Sequence, residues 1–116
     1  MNYLKFCRFL KEDFEISNSK FPSIRFFRSE LILIFIWFWV LERFYEKKEY
    51  YIESLIQEIP EGFASRPTIF KFIELAISKG FLQKKSDNND RRKFYLTPSD
   101  ITVKEFEEWA KGFKGF

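Results

Sequence analysis

Ser65-Arg66-Pro67-Thr68-Ile69-Phe70-Lys71-Phe72-Ile73-Glu74-Leu75-Ala76-Ile77-Ser78-Lys79-Gly80 is followed by Phe81 to Ser86, by Asp87-Asn88-Asn89-Asp90-Arg91-Arg92, and by Lys93-Phe94-Tyr95-Leu96-Thr97. This stretch decides the fold. Ser65 is a helix N-cap, since its side-chain oxygen can accept one of the unpaired N–H groups of the first turn. Pro67 sits where a missing N–H is harmless. Ile69, Phe72, Ile73, Ala76 and Ile77 recur at helical spacing and form a core stripe. Gly80 is a C-terminal stop. Phe81–Ser86 and Lys93–Thr97 read as short strands, and the Asp/Asn run between them bonds its own backbone in a turn. Helix, strand, charged tip and strand in that order are the reading half of a winged helix-turn-helix. The fold class is therefore mainly α with a small two-stranded β wing.

Working outward, Ile52, Leu55, Ile56 and Ile59 form an i, i+3, i+4, i+7 stripe within Tyr50–Ile59. This predicts the first helix of the helix-turn-helix, ended by Pro60-Glu61-Gly62. A longer helix is predicted from a Ser29 cap, with Glu30 in its first turn, to about Lys47. Its centre is apolar all round and reads as the buried middle of the fold. Tyr3, Cys7, Leu10 and Phe14 define a first helix over Tyr3–Phe14, and Ser17 to Ser23 reads as a loop. Beyond Pro98 and Ser99, Phe106, Trp109, Ala110 and Phe113 mark a last helix. The expected organisation is a single domain over 1–116. It comprises an N-terminal dimerisation helix and loop (1–28), a winged-helix core (29–99) and a C-terminal helix (100–116).

Composition narrows the function. The chain has 116 residues and no histidine, so the commonest general base and metal ligand are missing. No metal-ligand spacing, phosphate-cradling glycine loop or nucleophile elbow appears. The reading is a non-enzyme with no catalytic residues, no metal and no cofactor. The single cysteine, Cys7, cannot form an internal disulfide, which fits a cytoplasmic protein. Cys7 lies on an apolar stripe and reads as a buried, inert thiol. Leu31 to Leu41 is an unbroken apolar run of 11 residues, about half of what a spanning helix needs. A buried core helix is expected and no membrane partner. Lys5, Arg8, Lys11 and Glu12 interrupt any signal peptide. Aromatic residues make up 22% of the chain, more ring surface than a small monomer hides easily. A homodimer is expected, with Tyr3, Cys7, Leu10, Phe14, Phe106, Trp109 and Phe113 in its interface.

The charge is placed unevenly. Residues 63–100 hold eight Lys/Arg against four Asp/Glu, while residues 1–62 hold nine against ten. The excess falls on the reading segment, where a phosphate-binding surface needs it. The recognition helix turns Ser65, Arg66, Pro67, Thr68 and Lys71 outward, with Phe70 and Glu74. A hydroxyl and a cation in the first two turns suit base-edge and phosphate contacts. In the wing, Arg91, Arg92 and Lys93 stand beside Asp90. An arginine fork suits phosphate and narrow minor grooves, and a carboxylate can orient it.

The segment also resembles the MarR family of bacterial transcription regulators. The shared features are Ser65 and Thr68 at the helix, Lys79-Gly80-Phe81-Leu82 at its exit, Asp87 to Arg92 in the wing, and Leu96-Thr97. The resemblance covers about residues 29–99. It implies that Asp90 braces a wing arginine and that either Arg91 or Arg92 reaches the minor groove. Three residues separate Arg92 from Leu96, fewer than the family has, and this leaves the choice of arginine open. Some members sense peroxide through a first-helix cysteine, and Lys5, Arg8 and Lys11 would favour a thiolate at Cys7. The family usually holds an effector between its dimerisation and DNA-binding parts, but no residue here identifies one. The resulting reading is a homodimeric transcriptional regulator that binds double-stranded DNA with sequence preference. The alternatives are a winged-helix protein-interaction module without DNA binding and, third, a peripheral membrane protein using the Leu31–Leu41 block.

Overall fold

The computed structural model describes residues 1–90 and 92–113. The elements run α1 (Tyr3–Lys20), α2 (Pro22–Phe27), α3 (Leu31–Glu46), α4 (Ile52–Glu58), α5 (Arg66–Ser78), β1 (Leu82–Ser86), β2 (Phe94–Pro98) and α6 (Asp100–Ala110). A 3-10 turn, Lys111–Phe113, follows. The expected class, helices around a two-stranded antiparallel wing, is what forms. The wing register pairs Leu82 with Pro98 and Ser86 with Phe94.

The loop expected over Ser17–Ser23 is not there. Helix α1 continues to Lys20, and α2 begins after a single extended residue, Phe21. Ser19 bonds its hydroxyl to the carbonyls of Glu15 and Ile16, so a nominal breaker is accommodated within a helix. Pro22 lies in the first turn of α2, where its missing N–H does no harm. The capping acceptor of α2 comes from far along the chain. Glu105 of α6, itself buried, takes the Ser23 N–H at 2.9 Å and the Ser23 hydroxyl at 2.5 Å. Ser29 likewise does not cap α3. Its hydroxyl bonds the Phe26 carbonyl and closes α2, while extended Glu30 precedes α3. Helix α3 ends at Lys47, a left-handed residue with φ of 59°.

Helix α3 is the centre of the fold. Ile32, Leu33, Ile36, Trp37, Trp39, Val40 and Leu41 are buried. Its apolar girth is not wholly covered, because Leu31 and Phe38 remain exposed. One core joins these residues to Ile24 and Phe27 of α2, Leu55 of α4, Ile69, Ile73 and Ala76 of α5, and Leu82 and Leu96 of the wing. The stripe read for the recognition helix is thus its buried side. Trp37 is packed by Phe27, Phe106 and Trp109, with ring centroids 5.4–6.0 Å apart. Aromatic pairs in such stacked and edge-on arrangements add to the burial of their area. Among the described residues no helix is long and apolar enough to cross a membrane.

Helix α1 is different. Tyr3, Cys7, Leu10 and Phe14 are all exposed. The buried thiol expected at Cys7 is therefore not found. Its stripe meets the rest of the chain through Phe14, whose ring lies 4.4 Å under the Arg28 guanidinium. The opposite side of α1 docks on the C-terminal region. Trp109 donates its indole N–H to Asp13 at 2.9 Å, and Asp13 pairs with Arg28 at 3.1 Å. Phe9 meets Phe113 edge-on at 5.0 Å. Phe106, Trp109 and Phe113, expected at an interface between chains, are half-buried against their own chain. The radius of gyration is 15.5 Å, against about 13 Å for a compact chain of this length. The long, mostly exposed α1 accounts for the excess.

Candidate nucleic-acid interface

Helix α5 has the start that its sequence dictates. Ser65 Oγ accepts the Thr68 N–H, and the two hydroxyls lie 2.9 Å apart. With Ile69, Ile73 and Ala76 turned inward, Ser65, Arg66, Pro67 and Lys71 are exposed and Thr68 is half-buried. Gly80 follows with φ of +82°, a conformation that disfavours any side chain, and sends the chain into β1. Two outward residues already have partners. The Arg66 guanidinium pairs with Glu53 of α4 and lies 5.3 Å over the Phe70 ring. Glu74 pairs with Lys84 of β1. The Lys71 ammonium has no hydrogen bond or ion pair among the described residues.

The wing tip is closed by its own polar groups. Backbone bonds run from the Asp87 N–H to the Lys93 carbonyl and from the Lys93 N–H to the Asp90 carbonyl, each 3.1 Å. Asp87 Oδ1 accepts the Asn89 N–H at 2.8 Å. Asp90 Oδ1 accepts the backbone N–H of Arg92 at 3.0 Å and its Nε–H at 3.3 Å. Those bonds, the backbone one foremost, hold the Asp90 carboxyl below the usual carboxylate range. Arg92 keeps its side chain 91% exposed. Its far guanidinium edge therefore faces water while the near edge rests on Asp90. Arg91 lies outside the described residues.

Sequence reading did not find the attachment of the wing to α4. Tyr51, just before α4, forms an isolated backbone bridge with Tyr95 of β2. Their rings stack at 4.7 Å and 15°. The Tyr51 hydroxyl donates to Asp87 Oδ2 at 2.5 Å, and the Lys93 ammonium lies 4.9 Å over the Tyr51 ring. The Asp87 bond, ahead of that with Tyr95, drives the Tyr51 hydroxyl above its usual range and Asp87 below its own. No local signal marks this arrangement, since 36 positions separate Tyr51 from Asp87.

Helix α4, helix α5 and the wing border one cleft of about 380 Å³. Tyr51, Ser54 and Gln57 line one side, Phe70 another, and Arg92, Lys93 and Phe94 the third. Phe70 is the α5 residue that lines this cleft beside Arg92 and Lys93, while Thr68 lines a separate cleft with Leu31, Gly62 and Phe63. Among the described residues no cluster of His, Cys, Asp or Glu is arranged to hold a metal.

No family model and no curated protein sequence matches the chain. Solved structures do. A transcriptional regulator from Thermotoga maritima superposes with a TM-score of 0.56 at 18% identity, covering 93% of this chain and 72% of that one. A second solved transcriptional regulator superposes at 0.53 and 14% identity, covering 98% and 76%. The chain has the winged helix-turn-helix fold. The fold implied by the resemblance to MarR regulators is the one found, with β1–β2 as its wing and α5 as the helix before the wing.

Proposed function

We propose that this winged-helix protein binds double-stranded DNA as a homodimer and regulates transcription without catalysis. The observation that carries the reading is the common surface made by α5 and the wing. Phe70 of α5 shares a cleft with Arg92 and Lys93 of the wing, and Lys71, whose ammonium has no ion pair among the described residues, is exposed on the same helix next to Phe70. Helix α5 would lie in the major groove, with Thr68 and Lys71 at base edges and Ser65, Arg66 and Pro67 at the groove wall. Asp90 would brace Arg92, and Arg92 with Lys93 would meet phosphate or the adjacent minor groove. A second copy would cover the apolar side of α1, where Tyr3, Leu10 and Phe14 are exposed. A two-fold dimer presents two such reading surfaces, so the site would be an inverted repeat.

Selection of bound sequences from a random duplex pool tests both parts. Enrichment of an inverted repeat is the expected outcome. Thr68→Ala with Lys71→Ala should then flatten the preference, since one direct base contact discriminates by about 1–3 kcal/mol. Retention of duplex without any enriched sequence refutes the sequence preference. Failure to retain duplex at low salt refutes DNA binding and favours a protein-interaction module.

A further inference from the structure

We propose that Tyr51 is a positioning residue whose hydroxyl, bonded to Asp87, fixes the wing tip at the angle from which Arg92 and Lys93 act. The inference rests on the reading of this face as a duplex-binding surface and goes beyond it. It names what holds the wing before any duplex arrives.

A two-stranded ribbon alone is weakly stable. Here ladder pairing ends at Ser86 and Phe94, and residues 87–90, 92 and 93 lie beyond it. The tip is closed on itself by Asp87 and Asp90, but self-closure does not set its direction. That requires contact with the body of the protein, and three wing side chains converge on Tyr51 to make it. Tyr95 stacks on its ring and donates its hydroxyl to the Tyr51 oxygen at 3.3 Å, Lys93 sits over the ring, and Asp87 takes the Tyr51 hydroxyl proton. Tyr51 itself is held, since its backbone bridges to Tyr95 and α4 starts immediately after it. Asp87 serves two partners at once. One oxygen caps the Asn89 N–H inside the tip and the other reaches Tyr51 outside it, so the turn and its anchor share a carboxylate. Two ion pairs also tie the wing to the body, Lys85 with Glu49 at 3.2 Å, whose side chains are 63% and 48% exposed, and Lys84 with Glu74 at 3.4 Å. Such surface pairs contribute little. A tip already fixed loses less freedom when it binds, and that difference appears as affinity.

Tyr51→Phe removes the hydroxyl and keeps the ring stack and the Lys93 contact. Two measurements decide the matter. In the free protein, amide hydrogen exchange at Asp87, Asn89 and Lys93 should quicken about three- to tenfold, the range expected for one hydrogen bond of ordinary net worth. Binding to a labelled random-sequence duplex should weaken by about the same factor. That loss should largely vanish when Arg92→Ala is already present, because the positioned side chain is gone. The melting temperature should stay within a few degrees.

Unchanged exchange at the tip overturns the anchor. Quicker exchange with the same loss of binding in both backgrounds, accompanied by a lower melting temperature, makes Tyr51 merely structural and overturns positioning. If the wild type binds no duplex, the DNA reading fails and positioning for DNA fails with it. The exchange measurement then decides separately whether Tyr51 holds the tip.

Discussion

Glu105→Ala should be among the most damaging single changes outside the apolar core. Glu105 is 8% exposed and Ser23 is fully buried. One carboxyl oxygen accepts both the Ser23 N–H and the Ser23 hydroxyl, at 2.9 and 2.5 Å. Truncation leaves both donors buried without an acceptor, at about 1–3 kcal/mol each. Water entering the vacated space would recover part of this, so a loss of about 2–4 kcal/mol is expected. Domains of this kind have about 5–15 kcal/mol in total. With a urea slope of about 1–3 kcal/mol per molar, the unfolding midpoint should fall by about 1–2 M. Glu105→Gln keeps an acceptor oxygen and should lose much less. Ser23→Ala removes only the hydroxyl, and Glu105→Ala made in that background should cost less than alone, since one of its two partners is already absent. A Glu105→Ala protein whose midpoint moves by less than about 0.3 M, with an unchanged slope, would refute the assignment of this contact as the cap of α2 and its tie to α6.

Arg92→Ala with Lys93→Ala should weaken binding to duplexes of any sequence and reduce the salt slope by roughly one unit per lost phosphate contact. An unchanged slope in a salt titration would remove the wing from the interface. Acid should loosen the wing tip. The folded values of Asp87 and Asp90 are both depressed, so their contribution is complete above the ordinary carboxylate value of about 3.9 and fades as pH falls through the folded values. Tip amide exchange followed from neutral pH downward should quicken only below about pH 4 after correction for the intrinsic rate, and a tip equally protected near pH 2 would contradict this. Tyr3→Lys with Leu10→Lys should leave the fold intact, since both residues are exposed in the single chain, while abolishing self-association. Sedimentation of the wild type as a monomer at tens of micromolar would sink the dimer.

What was legible in the sequence was what short-range physics fixes. Ser65, Pro67 and Gly80 delimit α5 because capping, proline geometry and a positive φ are properties of a few adjacent residues. The Ile69, Ile73 and Ala76 stripe gave its buried side through the helical period, and the outward side followed by subtraction. Asp87 to Lys93 showed a turn because Asp and Asn bond their own backbone. Where the structure departs from that reading, local preference did not settle the outcome. Ser17 to Ser23 looked like a loop because polar residues and proline usually interrupt helices. The chain nevertheless continues in helices on both sides of Phe21, with the acceptor for the second supplied by Glu105 from 82 positions away. Cys7 looked buried because its stripe is apolar, and periodicity does not say whether a partner for that stripe lies in the same chain. Phe106 and Trp109 carry the same signal as the α1 stripe, and the structure adds contacts for them within the chain, to Trp37 of α3 and Asp13 of α1. Tyr51 carried no signal at all. Its role exists only because the wing folds back beside α4, and that placement is decided by tertiary packing, where contacts between remote residues compete and local preference no longer chooses among them.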